Sequence, residues 1–382
     1  MHNTYQQRGG EDAVVEAEAE LLRKHGHAVT LYRRSNDEVA GQSRLSLAAQ
    51  SLWSTRTRHE IAALLQQQRP SIVHVHNTLP LVSPSVYWAA AHAGVPVVQT
   101  LHNYRLLCPQ ALMLRDNRVC EDCVGHLPWR AVRHRCYRGS ATQSAVVAGT
   151  VQLHRWLGTW QHKVARYIAL NEFSRQKFID GGLPAERICV KPNFVDLPPP
   201  EAQPRSGFLF VGRMSVEKGI ETLVAATRLL PSNLLLRAIG DGPLAGLLRE
   251  TGRVELLGQK AHDEVGAEMA RTTALVMPSI WYEPFGLVVI EAFASSLPVI
   301  ASRIGAPATL VDDGKTGLLF EPGNAADLAE KIAWAQGHPE AMAAMGRQAR
   351  ATYEQRFTAD INYRHMTDIY AQALAEHAAH LL

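Results

Sequence analysis

The sequence predicts an α/β protein of two parallel-sheet domains joined by a short, stiff linker. Three observations carry that reading. Short apolar runs alternate with stretches of helical periodicity over most of the 382 residues, the pattern of strand–helix–strand units. Leu197-Pro198-Pro199-Pro200-Glu201-Ala202-Gln203-Pro204 puts four prolines in eight residues, which stiffens and extends a chain. The charge also changes there: residues 1–196 hold 23 Lys/Arg against 15 Asp/Glu, and residues 197–382 hold 16 against 21. A basic half followed by an acidic half fits two domains with different partners. The expected division is 1–196, a linker at 197–205, and 206–382 with a helical tail.

In the first domain the strand candidates are Val29–Tyr32, Ile72–His76, Val95–His102, Tyr167–Leu170 and Ile188–Val190. Helices are expected at Asp12–His25, closed by Gly26, and at Thr55–Gln68. Runs rich in β-branched and aromatic residues mark the strands, and apolar residues three and four apart mark the helices. Residues 103–166 break the alternation with four Cys, several Arg and three Trp, and read as an insertion or helical lobe. After the linker, strands are expected at Phe208–Val211, Leu234–Ile239, Glu255–Leu257, Leu275–Met277, Val299–Ala301 and Leu318–Phe320. The helices between them are Val216–Leu230, Asp263–Arg271, Leu287–Ser295 and Ala325–Gln336, with a helical tail from Ala359.

Composition excludes several classes. With 46% apolar and 20% charged residues the chain is neither disordered nor collagen-like. No apolar run approaches the ~18 residues of a membrane-spanning helix, and the first residues lack the apolar core of a signal peptide. Five Cys, an odd number in a long chain, suit a reducing cytoplasm rather than a disulfide framework.

The strongest chemical signal is Trp281-Tyr282-Glu283-Pro284-Phe285-Gly286-Leu287-Val288-Val289-Ile290-Glu291-Ala292. A strand ends at Pro278, a loop follows, and a helix opens near Gly286, whose first free N–H groups make an anion site. Glu283 in the loop and Glu291 in the helix can take hydroxyls on either side of a phosphate; the competing reading is a helix cap and a solvated Glu. A second signal is Gly212-Arg213-Met214-Ser215-Val216-Glu217-Lys218-Gly219, where two cations just past a strand end can clamp a pyrophosphate. Gly240-Asp241-Gly242-Pro243 supplies a further tight turn after a strand. In the first domain Gly9-Gly10 opens a helix and His102 ends a strand. His74 and His76 alternate along one strand and read as sheet residues, not as a metal pair.

These motifs, with Gln7-Arg8-Gly9-Gly10-Glu11, Leu101-His102-Asn103 and Lys191-Pro192-Asn193-Phe194-Val195-Asp196, resemble the retaining glycosyltransferases of family four. The resemblance covers nearly the whole chain and implies the GT-B fold, two facing Rossmann-like domains with an inter-domain cleft. It implies that Arg213 and Lys218 hold a donor pyrophosphate and Glu291 the ribose hydroxyls. Glu283, with the amides of Phe285, Gly286 and Leu287, would meet the donor sugar, with His102 near its reacting face. Gly10, Gly212 and Gly240 would let backbone approach the ligand. The implied reaction keeps the anomeric configuration, needs no catalytic cofactor or metal, and moves a sugar from a nucleotide-sugar donor to a saccharide or lipid-linked acceptor in cell-surface glycan synthesis. Two alternatives stay open: a nucleotide-sugar epimerase, and an idle sugar-nucleotide-binding scaffold.

Three features stand outside that resemblance. Cys108, Cys120, Cys123 and Cys136 give C-x11-C-x2-C-x12-C, a spacing suited to a structural zinc, with His126 and His134 as alternative ligands and a Cys120–Cys123 redox pair or unpaired buried thiols as competitors. Trp129, Arg130, Arg133, Arg135, Arg138, Arg155, Trp156, Trp160 and Lys163 form a basic aromatic stretch that suits an anionic membrane surface on the cytoplasmic side, with core packing of Trp156 and Trp160 beside solvated Arg as the competing reading. No RNA- or DNA-binding motif accompanies it, so no nucleic-acid partner is expected. Finally, Met1–Tyr5 holds no apolar run of the length a buried parallel strand needs, so the first strand reads as missing. The expectation is an upstream extension of about six to ten mostly Val, Ile or Leu residues, set by that strand length.

Overall fold

The structure, a computed structural model, describes residues 1–4, 9–39, 41–199 and 203–379. Fourteen short strands are assigned among them: β1 His2–Thr4, β2 Arg33–Ser35, β3 Val73–Val75, β4 Val97–Thr100, β5 Leu114–Arg115, β6 Arg118–Val119, β7 Arg166–Ala169, β8 Ile188–Val190, β9 Phe208–Val211, β10 Leu236–Ile239, β11 Val254–Gly258, β12 Ala274–Met277, β13 Val299–Ser302 and β14 Gly317–Phe320. β5 and β6 make a small antiparallel hairpin, and every other pairing is parallel. Helices stand between the parallel strands, as parallel connections require.

The chain divides into two compact units. The first comprises Met1–Met113, Glu121–Pro192 and the segment from Asn362 onward; the second comprises Leu114–Cys120 and Asn193–Ile361. This corrects the expected division at its far end, where the tail was assigned to 206–382. The helix Ala359–Ala379 buries Ile369 and Ala373 against Val98 and Ile168 of the first unit's sheet, so its apolar stripe decides its membership. The expected linker falls partly on residues 200–202, which lie outside the described residues.

The first unit's sheet has the order β3-β4-β7-β8, with β1 paired to β2. His76 N donates to Met1 O and Asn3 N to Asn77 O, so β1 also bonds to the end of β3. The expectation of no strand before the first helix is therefore corrected: His2–Thr4 forms one. A strand of polar residues persists in the interior because its side chains are paired. His2 Nε2 lies 2.7 Å from Asp12 Oδ1. Asn3 donates to Asn36 Oδ1 at 2.8 Å and accepts from Leu81 N at 2.9 Å. A second difference is the strand expected at Val29–Tyr32. Pairing falls on Arg33–Ser35 instead, because β1 stands opposite those residues.

The second unit's sheet runs β11-β10-β9-β12-β13-β14. Phe208, Leu209 and Phe210 are all buried, as befits a central parallel strand covered on both faces. Phe208, Phe210, Leu236, Ile300, Phe320 and Ile332 belong to its apolar core.

Candidate functional site

In the second unit the sheet grows from β9 to β10 and β11 on one side, then returns to place β12 on the other side of β9. Ligand crevices in open parallel sheets lie outside the strands' carboxyl ends at such a reversal. The segments that follow β9 and β12 are those the sequence singled out.

Two glycines allow close approach at these strand ends, Gly219 between the segments after β9 and β12 and Gly240 between those after β10 and β9. Gly219 has φ +72°, and a Cβ there would lie 1.7 Å from the carbonyl oxygen of Pro278. Gly240 has φ +122°, and a Cβ there would lie 2.1 Å from the carbonyl oxygen of Gly212. Only residues without a side chain allow both the conformation and the approach. The close packing carries Lys218, one residue before Gly219, to Glu283 in the loop after β12.

Lys218 Nζ donates to both oxygens of Glu283, at 2.9 Å to Oε1 and 2.7 Å to Oε2. Trp281 Nε1 donates to Oε2 at 3.1 Å, and Ser279 Oγ reaches it at 3.4 Å. Lys218 Nζ stands 5.7 Å from the centre of the Trp281 ring. Glu283 is buried, so this set of donors offsets the cost of removing a carboxylate from water. Arg213 is exposed at the end of the turn after Gly212.

The helix Leu287–Ala294 begins directly after Glu283-Pro284-Phe285-Gly286, with Gly286 as its N-cap and no side-chain cap. The amide of Val289 donates to Gly286 O at 2.9 Å, while those of Leu287 and Val288 have no helix carbonyl one turn back. Phe285 packs its ring against Phe357, 6.3 Å between centres, so only its main chain is available to a ligand. Burial raises the Glu291 carboxyl above its ordinary range, opposed by His262, 3.8 Å away.

The first unit holds the remaining candidates. His102 follows β4, and its Nε2 lies 2.9 Å from His76 Nδ1. Burial, then the charges of His2 and Lys191, hold the His102 imidazole down to about 3, so it is neutral at pH 7. His76 stacks on His74, with ring centres 4.2 Å apart, and its Nε2 lies 3.9 Å from Glu18 Oε2. Glu18 accepts from the fully buried Lys191 at 2.6 Å. Sequence reasoning missed this chain from His102 to Lys191, because a lone strand histidine gives no signal of its partners. Gly9 caps the helix Gly10–Lys24, and its N donates to Asp12 Oδ2 at 2.9 Å. A Cβ on Gly9 would meet Asp12 Oδ2 at 3.9 Å, an ordinary contact. Nothing within the described residues therefore demands glycine there. Gln7 and Arg8, markers of the resemblance, lie outside the described residues.

All four cysteines of the expected zinc set are thiols: Cys123 is buried, and Cys108, Cys120 and Cys136 are half-buried. Cys120 belongs to the second unit and the other three to the first. Among the described residues, the His, Cys, Asp and Glu group with donors within 4.8 Å of one another is Glu18, His74 and His76, not the cysteines. The ammonium of Lys191 already faces that group's carboxylate.

The basic aromatic stretch separates into two kinds of residue. Trp156 is 73% exposed and Trp129 is 54% exposed, whereas Trp160 is 3% exposed and donates to Val151 O. Core packing thus holds for Trp160 and not for Trp156. Gly158, at φ +66°, ends one helix and caps the next, turning Trp160 inward. No helix among the described residues is long and apolar enough to cross a membrane.

Comparison with known proteins agrees with this geometry. The chain is 42% identical over 130 residues to an uncharacterized glycosyltransferase of Methanocaldococcus jannaschii, a match covering 32% of this chain and 36% of that one. It is 29% identical over 321 residues to glycogen synthase of Mycobacterium tuberculosis, covering 80% of this chain and 68% of the relative. Among solved structures, sucrose-phosphate synthase of Thermosynechococcus elongatus superposes with a TM-score of 0.71 at 20% identity, over 98% of this chain and 96% of that one. Anabaena HepE in complex with UDP-glucose gives a TM-score of 0.67 at 20% identity, over 98% and 99%. These likenesses show the GT-B fold. The model for Glycosyltransferase Family 4 matches residues 8–198 and that for Glycosyl transferases group 1 matches residues 199–352, so the chain belongs to the family 4 glycosyltransferases.

Proposed function

We propose that the protein transfers a sugar from a nucleotide-sugar donor to a saccharide or lipid-linked acceptor with retention of anomeric configuration. The observation that carries this reading is the Lys218–Glu283 pair beside the uncapped helix at Gly286, where the sheet order reverses. An ammonium has three N–H groups. Glu283 takes two of them and leaves one for a phosphate oxygen. Arg213 and the helix amides supply further charge to a diphosphate, and the Glu283 oxygens have lone pairs left for sugar hydroxyls. Glu291 serves the ribose hydroxyls. HepE, a neighbour in fold, was solved with UDP and with UDP-glucose, which supports a donor of that class.

In the transfer step the bond from the sugar anomeric carbon to the diphosphate oxygen breaks. A bond to the acceptor hydroxyl oxygen forms on the same face, and the acceptor proton passes to the departing phosphate. The proposal assigns the developing phosphate charge to Arg213, Lys218 and the helix amides rather than to a divalent cation. The test is incubation with a panel of UDP-, GDP- and ADP-sugars. Nucleoside diphosphate release, an α-linked product from an α-linked donor, and insensitivity to chelator are expected. Interconversion of sugar isomers would favour an epimerase, and binding without turnover a scaffold.

The exposed Trp129 and Trp156, with Arg130, Arg133, Arg135 and Arg138 nearby in sequence, support contact with an anionic membrane on the cytoplasmic side. A lipid-linked acceptor would be presented there.

A further inference from the structure

A file of polar side chains in the first unit runs inward from His102. β3 and β4 are parallel neighbours, which brings His76, one residue past β3, alongside the segment that carries His102. Lys191 follows β8, and Glu18 stands on the helix Gly10–Lys24. Lys191 is fully buried; its Nζ donates to Glu18 Oε1 at 2.6 Å and to Asn362 Oδ1 at 3.3 Å. The two form a buried ion pair, in which mutual attraction offsets the loss of water. The other carboxylate oxygen, Glu18 Oε2, is buried with no hydrogen-bond partner among the described residues. It lies 3.9 Å from His76 Nε2, and His76 Nδ1 lies 2.9 Å from His102 Nε2.

This order of charges decides where the imidazole protons sit. Burial holds His76 well below the ordinary histidine range and His102 at about 3, so at pH 7 each ring carries one N–H and one lone pair. One proton therefore lies between His76 Nδ1 and His102 Nε2, and geometry alone lets either ring own it. The charge of Glu18 breaks the tie. A lone pair on His76 Nε2 would face an anionic oxygen and be repelled, whereas an N–H there is attracted. With that proton on Nε2, His76 Nδ1 is an acceptor, His102 Nε2 is the donor, and His102 Nδ1 keeps a lone pair. Stacking holds the rings in place. His74 lies 4.2 Å from His76 between centres and is itself fixed by Tyr370 Oη at 2.7 Å and Thr100 Oγ1 at 2.8 Å. The His76 and His102 rings are nearly parallel, 20° between planes.

We propose that Lys191, Glu18 and His76 are positioning residues that fix the His102 proton on Nε2, so that Nδ1 presents a lone pair to a hydroxyl of a sugar substrate. The identity of that ligand rests on the sugar-transfer reading above; the direction of the file does not. His102 is half-buried and lines a cavity of about 40 Å³ with Asn77, Thr78, Asn103 and Arg105, and among the described residues its Nδ1 has no hydrogen-bond partner. A hydroxyl donates to an imidazole lone pair and accepts from an imidazole N–H. The file thus selects how a bound hydroxyl is turned.

The test is long-range proton–nitrogen NMR of the full chain labelled at histidine, with His102 identified by the signals lost in His102→Asn. In the parent chain near pH 7, His102 should show a protonated Nε2 and an unprotonated Nδ1. Glu18→Gln keeps the shape of the side chain and removes the charge. Its amide oxygen can accept from Lys191, which turns its NH2 toward His76 Nε2 and reverses every donor in the file. The His102 proton should then move to Nδ1. Donor kcat/KM, measured with the UDP-, GDP- or ADP-sugar that the parent chain uses, should fall about tenfold or more, the scale of one hydrogen bond. A merely structural Glu18 would lower Tm and leave the His102 signals unchanged, which would overturn the proposal. A reversed proton with kcat/KM equal to the parent's would overturn it as well. If Glu18→Gln does not fold, the parent spectrum decides alone: a proton on Nε2 supports the file and a proton on Nδ1 overturns it. If no nucleotide sugar turns over, the sugar-transfer reading fails by itself, and exchanged or unexchanged His102 signals in Glu18→Gln still support or overturn the file.

Discussion

Lys218 Nζ bridges both oxygens of Glu283, at 2.9 and 2.7 Å, across 65 residues of sequence. The pair joins the turn after β9 to the loop after β12, so each residue holds the other's geometry. Neither substitution is therefore a simple loss of one contact. Lys218→Ala leaves a buried carboxylate with only the Trp281 and Ser279 donors, and Glu283→Ala frees the ammonium to move. Both should lower kcat/KM for the donor about 10²-fold or more, the scale of losing one charge-stabilising group. Arg213→Ala should fall in the same range. Because Arg213 is exposed, it should do so with no change in Tm. Near wild-type turnover in all three variants at saturating donor would refute the site.

Gly219 offers a test of the scaffold beneath that pair. Its φ of +72° and the 1.7 Å approach of a Cβ to Pro278 O cannot both be accommodated by alanine. Gly219→Ala should cost on the order of 2–4 kcal/mol of stability, through a strained backbone and a forced separation of the two loops. Chemical denaturation measures the loss. Val216→Ala, three residues earlier and half-buried, is the control expected to stay within about 1 kcal/mol.

These cases show what was legible in the sequence. Phe208–Val211 was read to the residue, because four apolar residues between turn signals admit few other readings. The places of Lys218, Glu283 and Gly286 past strand ends are legible in the sequence, yet the contact of Lys218 with Glu283 is not, since sequence spacing carries no information on which strands neighbour in a sheet. The order β10-β9-β12 supplies it. Val29–Tyr32 was misjudged as a strand from its β-branched and aromatic residues, whereas pairing falls on Arg33–Ser35. His2–Thr4 was missed because polar residues seldom line a buried strand; Asp12, Asn36 and Leu81 N satisfy them from distant positions. The cysteine spacing suggests a zinc set, whereas the donor group within 4.8 Å among the described residues, Glu18, His74 and His76, carries no such spacing signal.

The buried histidines make stability depend on pH in a defined window. Burial lowers His74 and His76 well below their ordinary value and His102 to about 3. In the unfolded chain these groups titrate near 6.5, so between about 6.5 and 3 the unfolded state binds protons that the native state does not. Stability is then complete above about pH 6.5 and is lost as pH falls through the window. The slope is about 1.4 kcal/mol per pH unit for each such group. Tm should therefore hold steady from pH 8 to 7 and drop below 6.5. His102→Asn, which cannot take a proton, should make the drop shallower. An identical slope for the variant and the parent chain would show that His102 is not held neutral.

Surface aromatics give the last prediction. A Trp that serves the core is costly to remove, whereas one that serves an interface is not. Trp160 is buried, T-shaped to Tyr87 at 5.6 Å, and bonded through its indole N–H to Val151 O. Trp160→Ala should thus destabilise the fold by about 3–5 kcal/mol. Trp156 and Trp129 are mostly exposed, and Leu157 and Leu127 beside them in sequence are 45% and 53% exposed. An interfacial role predicts that Trp156→Ala and Trp129→Ala leave Tm within about 1 °C, since little packing is lost. Each should instead weaken binding to vesicles containing phosphatidylglycerol severalfold, with little effect on phosphatidylcholine vesicles. Attraction of Arg130, Arg133, Arg135 and Arg138 to anionic headgroups adds a salt dependence, so binding should fall as ionic strength rises. Donor hydrolysis in solution should be unchanged by either substitution, because neither residue belongs to the donor site. Co-sedimentation at two salt concentrations measures all of this, and equal binding of the variants and the parent chain would remove the membrane from the account.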